Sequence, residues 1–267
     1  MMESLIRQWQ TMTTAEAEAL GAADPVVILP LAAIEQHGPH LPLSTDIEIG
    51  NGLLEHALRS LPADFPVWVL PSQAVGCSIE HEGFPGTLSL EPELLSKVIY
   101  ALGAAVARCG ARRLLVSNSH GGNVHAVESA ALELRRTYRL LVVKSHYFLF
   151  PRPKGVELPE SEWLHGLHGG AIETSIMLHL RPEFVRARLA SDAPSLGQEL
   201  EHSLRHLRPA TLGRSFAWMA QDLHRTGVTG SATLGDAALG KRLIEGYGDT
   251  LADLIRDTRK FPIVRLS

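Results

Sequence analysis

The chain has 267 residues, of which 45% are hydrophobic and 20% charged, with a formal net charge of -4 at pH 7. These are values of an ordinary globular protein with room for one substantial core, and with no clustered Lys/Arg run they argue against nucleic acid or an anionic membrane as partner. The two cysteines, Cys77 and Cys109, form no C-x-x-C pair, no apolar stretch has the length of a membrane span, and the N-terminal residues lack a signal-peptide core, so a cytoplasmic, reducing location is expected.

Residues 4–22 read as a short amphipathic helix, and Asp24-Pro25 then leads into an apolar run over 26–34 with the length and bulk of a buried strand. Thr45, with Glu48 three residues on, has the pattern of a capping box, and Ile47, Leu54, Leu58 and Leu61 recur at near-helical spacing behind it. A strand is expected over 66–70, a helix over 92–109 with Pro92 in its first turn, a strand over 113–117, a helix over 124–138 and a strand over 140–144. Further helices are expected around Ile176, Met177 and Leu180, over 195–207 and over 234–258. Strands alternating with helices imply right-handed crossovers and an α/β fold with a mostly parallel sheet covered on both faces. With no linker, repeat or low-complexity stretch, residues 1–267 are read as one domain.

The residues with chemistry follow strands: Glu35 and His37 after the first, Ser78 and His81 beyond the second, His120 after the third. That is the carboxyl edge of a parallel sheet, where α/β proteins bind ligands. In Glu35-Gln-His37-Gly-Pro-His40-Leu-Pro-Leu-Ser-Thr-Asp46, Glu35 and His37 lie two apart and point the same way on an extended backbone. Any one of them alone is equally a loop residue, and Asp46 alone a first-turn acid. Together, carboxylates and imidazoles on a proline-stiffened segment point to a metal site. Ser119-His120-Gly-Gly-Asn123 adds an imidazole at a strand end, and Glu173 lies in or just before the first turn of the helix after His168-Gly-Gly. The turn-rich 82–88 loop suits substrate contact at most. No G-x-S-x-G elbow, Walker loop or G-x-G-x-x-G follows the first strand, and Cys77 has no visible orienting group for nucleophilic catalysis.

These segments, with Phe84-Pro-Gly-Thr-Leu88 and His168-Gly-Gly-Ala-Ile-Glu173-Thr-Ser, resemble the creatininase, or creatinine amidohydrolase, family over about residues 25–245; Gly227-Val-Thr-Gly230 is similar to a further family motif. The resemblance implies a three-layer α/β/α sandwich, two divalent metal ions per chain (zinc, manganese or iron), and assembly as a homo-oligomer, commonly a hexamer. It also implies hydrolysis of a non-peptide amide, lactam or formamide bond in a small molecule through a hydroxide held between the two ions. Carried over, Glu35 and His120 bind one metal, His37 the other, Asp46 bridges them and Glu173 is the remaining carboxylate, while His168 delivers a proton to the leaving amine. Ser78, Thr87 and Trp163 are the expected substrate contacts. Two departures stand out: Gly122 occupies the place of a metal-binding glutamate of creatininase, and Trp163 is one residue away from a ring-enclosing tryptophan, so creatinine is not the expected substrate. The alternatives are a family metallopeptidase trimming a short peptide and a metal-binding protein without turnover.

Overall fold

The computed structural model describes residues 8–210 and 213–266. Its centre is a sheet of four parallel strands, Val26–Leu31 (β1), Val67–Val69 (β2), Arg113–Asn118 (β3) and Leu141–His146 (β4), in the order β2-β1-β3-β4. Val26 aligns with both Val67 and Arg113, and Arg113 with Leu141, so the strands start level. Three of them also finish level, with Leu31, Asn118 and His146 in register. That shared finish brings the segments after β1 and β3 to one edge.

Alternation along each strand builds two cores. Val26, Ile28 and Leu115 face helices Thr45–Arg59 (α2), Ala171–Leu180 (α6) and Ala237–Lys260 (α9), with Ile49, Leu53, Ile176, Leu243 and Ile255 packed among them. Val27, Leu29, Leu114 and Val116 face Pro92–Arg108 (α3) and Val124–Tyr138 (α4), against Leu95, Ile99, Val127 and Leu134. This is an α/β/α arrangement, and each such Leu or Ile contributes roughly 1.5–3 kcal/mol by leaving water. Coverage of both faces holds for β1 and nearly all of β3; β2 and β4, at the sheet's edges, are partly exposed, and Lys144 on β4 pairs with Glu128 outside.

Four expectations change in detail. Within 4–22, residues 4–7 lie outside the described residues, and the remainder is a short helix, Thr14–Ala19 (α1), between 3-10 turns, started by a Thr13–Glu16 capping box. The first strand stops at Leu31, because Ile34 pairs instead with Leu88 in an antiparallel bridge. Thr45 does not cap α2: it is the first helical residue, its hydroxyl donates to the Pro42 carbonyl at 2.7 Å, and Glu48 accepts from Arg181 at 2.9 Å. The helix expected over 195–207 is only Leu196–Leu200 (α7), ending before a run rich in polar, exposed residues.

Short elements complete the carboxyl edge: Glu160–His165 (α5), Ala220–Leu223 (α8), and an antiparallel pair, Asp192–Ala193 (β5) with Gly230–Ser231 (β6). Among the described residues no helix is long and apolar enough to cross a membrane.

Candidate metal centre

Each candidate side chain is delivered by an element end. Beyond β3, Asn118 Oδ1 accepts the His120 N–H at 3.2 Å, while its Nδ2 donates to the His120 carbonyl at 2.7 Å and to His146 Nδ1 at 2.9 Å. Fully buried Asn123 ties three loops together: its Nδ2 donates to Ala32 O and Asn118 Oδ1, both at 3.0 Å, and its Oδ1 accepts from the Cys77 N–H at 2.8 Å. Asp46 projects from the first turn of α2 and Glu173 from that of α6. His168 comes from the loop before α6, which is docked where the Thr229 N–H donates to the His168 carbonyl at 2.8 Å.

These residues converge. Asp46 Oδ1 lies 3.4 Å from His37 Nε2, and its Oδ2 lies 3.4 Å from His120 Nδ1. Glu35 Oε1 is 3.2 Å from His120 Nδ1 and 3.6 Å from His168 Nδ1, and Glu173 Oε2 is 3.8 Å from His37 Nε2. Three overlapping triads result, Glu35–Asp46–His120, His37–Asp46–Glu173 and Glu35–His37–His168, each with ligand atoms within 4.8 Å of one another. Asp46 belongs to the first two, one carboxylate oxygen toward each imidazole.

Three imidazoles share one mode of support. His37 Nδ1 donates to the Glu35 carbonyl at 3.1 Å, His120 Nε2 to the Cys77 carbonyl at 2.8 Å, and His168 Nε2 to the Gln36 carbonyl. A carbonyl only accepts, so in the neutral ring the other nitrogen turns a lone pair inward, as in histidines that ligate metals. Glu35 Oε1 and Oε2, Asp46 Oδ2 and His37 Nε2 are buried without a hydrogen-bond partner. Buried acceptors left without a hydrogen-bond partner are costly, and a cation among them removes that cost. The mixed oxygen and imidazole set, free of thiolate, fits zinc, manganese or iron.

The charge balance points the same way. Burial pushes the His37 pKa down, yet Asp46, Glu173 and Glu35 overcome it and raise it to about 9. Burial also opposes charge on His120, but Glu35 and Asp46 lift it well above the ordinary value. Burial disfavours the Asp46 carboxylate, and His37 and His120 reverse this, holding its pKa below the usual range. In the metal-free chain, protons on imidazoles supply positive charge that the carboxylates demand.

Other candidates take different places. Burial, then the charge of His37, lowers His168 to about 4, and its N–H is committed to Gln36, so in this geometry its Nδ1 faces the centre as an acceptor. Ser78 is fully buried with Oγ 3.4 Å from His120 Nε2, a supporting position and not an open contact for substrate. Thr87 is partly exposed, and its Oγ1 accepts the Gln36 N–H at 3.2 Å, bracing the strand-end segment. Trp163, on α5, packs against the core with the Arg152 guanidinium 4.9 Å from its ring centre. His40 turns from the cluster to Thr174 Oγ1 at 2.9 Å. Burial raises the Cys77 thiol's pKa, the opposite of nucleophile activation.

Sequence reasoning passed over three residues. Gln36 points away from Glu35 and His37 in the alternating pattern, which is the one signal it offers. Glu162 is buried at 2%, its carboxylate accepting the Ala171 N–H at 2.6 Å and the Ser231 N–H at 2.7 Å, so it holds the start of α6 against β6. Glu80 lies beside Gly122: a Cβ built at 122 would stand 2.6 Å from Glu80 Oε1 and 2.2 Å from the Cys77 carbonyl. The departure from the creatininase pattern at 122 is therefore matched by neighbours that leave no room for a side chain.

Comparison with known proteins agrees with this architecture. A family model described as creatinine amidohydrolase matches residues 10–255. The mycofactocin precursor peptide peptidase of Mycobacterium tuberculosis is 34% identical over 245 residues, covering 88% of this chain and 86% of the relative. The creatinine amidohydrolase of Pseudomonas putida is 30% identical over 200 residues, covering 68% of this chain and 75% of the relative. A solved structure described as creatininase Mn superposes with a TM-score of 0.71 at 27% identity, covering 96% of this chain and 98% of that one. A match along nearly the whole chain, over a sheet edge that gathers glutamate, aspartate and histidine into one buried cluster, makes this protein a member of the creatininase family.

Proposed function

We propose that the chain is a metal-dependent amidohydrolase and that its substrate is a short peptide. The observation that carries the hydrolase reading is the buried cluster of unpartnered carboxylate and imidazole atoms at the carboxyl edge of the sheet. Glu35, His37, Asp46, His120 and Glu173 would hold two divalent ions, with Asp46 shared and His168 turned toward the Glu35 side. Such ions supply Lewis acidity and make water acidic enough to serve as a nucleophile near neutral pH. The protein's own part is to hold these ligands by carbonyl-anchored rings, to exclude water around them, and to keep Glu173 in place through its bond from the Gly169 N–H at 2.6 Å.

The peptide reading is supported by the mycobacterial peptidase, which matches more of the chain at higher identity than the creatinine amidohydrolase does. It also fits the position of Trp163, whose ring is taken up by Arg152 and the core. The second reading, a small-molecule amide, lactam or formamide, is favoured by the family description itself. Chelated protein reconstituted with zinc or manganese and offered short peptides, formamides, lactams and creatinine tests both. Metal-dependent cleavage of peptides with little turnover of creatinine is expected. No turnover of any amide by protein with its metals bound would overturn the hydrolase reading in favour of a binding protein.

A further inference from the structure

One imidazole of the cluster is turned the other way. The Gln36 side chain accepts the Gly38 N–H on Oε1 at 2.9 Å and donates from Nε2 to the Gly227 carbonyl at 3.0 Å. Turning the amide over would set a donor against a donor and an acceptor against an acceptor, so its orientation is fixed without reference to any histidine. The same Nε2 lies 2.8 Å from His81 Nδ1, which must therefore accept. The His81 proton is then on Nε2, directed into the cluster 3.5 Å from Glu35 Oε1. The ring is buried and stacks on His168 at 4.2 Å, which stacks on His37 at 4.1 Å.

This arrangement excludes two roles. Nε2 carries a proton, so it is not a metal ligand. Nδ1 cannot take a second proton without losing the Gln36 bond, so the ring stays neutral, and a neutral imidazole is a hydrogen-bond donor and not a general acid. Donors aimed at developing negative charge are what stabilise acyl-transfer transition states.

We propose that His81 Nε2–H binds the oxygen of the scissile carbonyl as it becomes a tetrahedral oxyanion, and that Gln36 is the positioning residue that sets its tautomer. This rests on the amidohydrolase reading. In the step, a water oxygen forms the new C–O bond, and the carbonyl π pair moves onto the oxygen bound by His81. The pair returns as the C–N bond breaks, the proton released by the water goes to the departing nitrogen, and His81 keeps its own proton throughout.

Imidazole ¹⁵N spectra of the zinc-free and zinc-loaded protein should show His81 as the neutral Nε2–H tautomer from about pH 5 to about pH 9, and Gln36→Met should release that preference. His81→Phe should bind zinc like the wild type, bind inorganic phosphate, a tetrahedral oxyanion, at least about tenfold more weakly, and lower kcat on a cleaved peptide by on the order of a hundredfold with KM little changed. His81→Gln, which keeps an N–H, should recover part of both. An Nδ1–H tautomer, loss of zinc from His81→Phe, or undiminished phosphate affinity would each overturn the proposal. If His81→Phe does not fold, the wild-type spectra and the phosphate affinity of His81→Gln decide. If no amide is ever cleaved while the tautomer and phosphate results hold, it is the hydrolase reading that falls and the anion donor that stands.

Discussion

At the scale of single residues, Asp46 is the most exposed assignment, because its two oxygens face two different imidazoles at the same 3.4 Å. Fully loaded protein is expected to carry two equivalents of zinc or manganese by elemental analysis. Asp46→Ala should retain almost none, and Glu173→Ala about one, since only the first carboxylate is shared. His168→Ala separates ligand from donor: loss of an ion fits its inward lone pair, whereas full loading with roughly a hundredfold slower turnover would restore the proton-donor role. Glu35, His37 and Asp46 are legible in the sequence because their spacing on one segment already places them together. Gln36 is not, since its partners, the 38 N–H, the 227 carbonyl and the 81 ring, meet only after folding.

Among elements, the centre depends on how the 166–173 loop and the 227–231 segment are clamped to one another. Glu162 does this with two charge-assisted bonds to backbone N–H groups, each worth roughly 1.5–3 kcal/mol when buried. Glu162→Ala should therefore destabilise the protein by about 3 kcal/mol in denaturant unfolding and weaken metal binding, although no atom of Glu162 belongs to the metal triads. Gly38 has φ of 72°, and a Cβ there would lie 2.2 Å from Val228 Cγ2. Gly38→Ala should cost about 2 kcal/mol or more, read in the same experiment, through both the backbone conformation and the clash. The central strands and the helices α3, α4 and α9 are legible because their periodicity is long and regular. The Thr45 cap and the helix over 195–207 are not: the Thr45 hydroxyl is spent donating to the Pro42 carbonyl and caps no helix N–H, and exposed polar residues after Leu200 give a helix nothing to pack against.

For the whole molecule, metal binding and folding are one equilibrium, since an ion that binds only the folded chain stabilises it, by about 2.7 kcal/mol at a hundredfold excess over its Kd. One contribution to the pH dependence, with a definite sign, comes from His37. Its folded, metal-free pKa of about 9 lies above the unfolded value of about 6.5, so the stability it contributes is complete below the unfolded value and is lost as pH rises to about 9. A metal ion must displace that proton. The gain in Tm on adding zinc should therefore grow from about pH 6.5 to about pH 9, measured by paired thermal scans with and without chelator, and zinc titration at neutral pH should release protons. A zinc gain that shrinks over this window would count against His37 as a ligand. Assembly as a homo-oligomer remains our proposal; light scattering should then give a multiple of the 29.1 kDa chain, with six copies the expected number.

The α/β class, the side of the sheet that carries the candidate site, and the segments that bring the candidate ligands are all determined by the sequence alone. They are local properties: apolar periodicity, a glutamate and histidine two apart at a strand end, an acid in a helix's first turn. For His120, His168 and His81, the direction in which the ring presents its proton was decided only by the tertiary structure. His120 takes its direction from a carbonyl 43 positions away, His168 from one 132 positions away, and His81 from an amide 45 positions away. An imidazole is the same residue whether it accepts, ligates or donates, and what separates these roles is the group on its far side, which no spacing in the chain encodes.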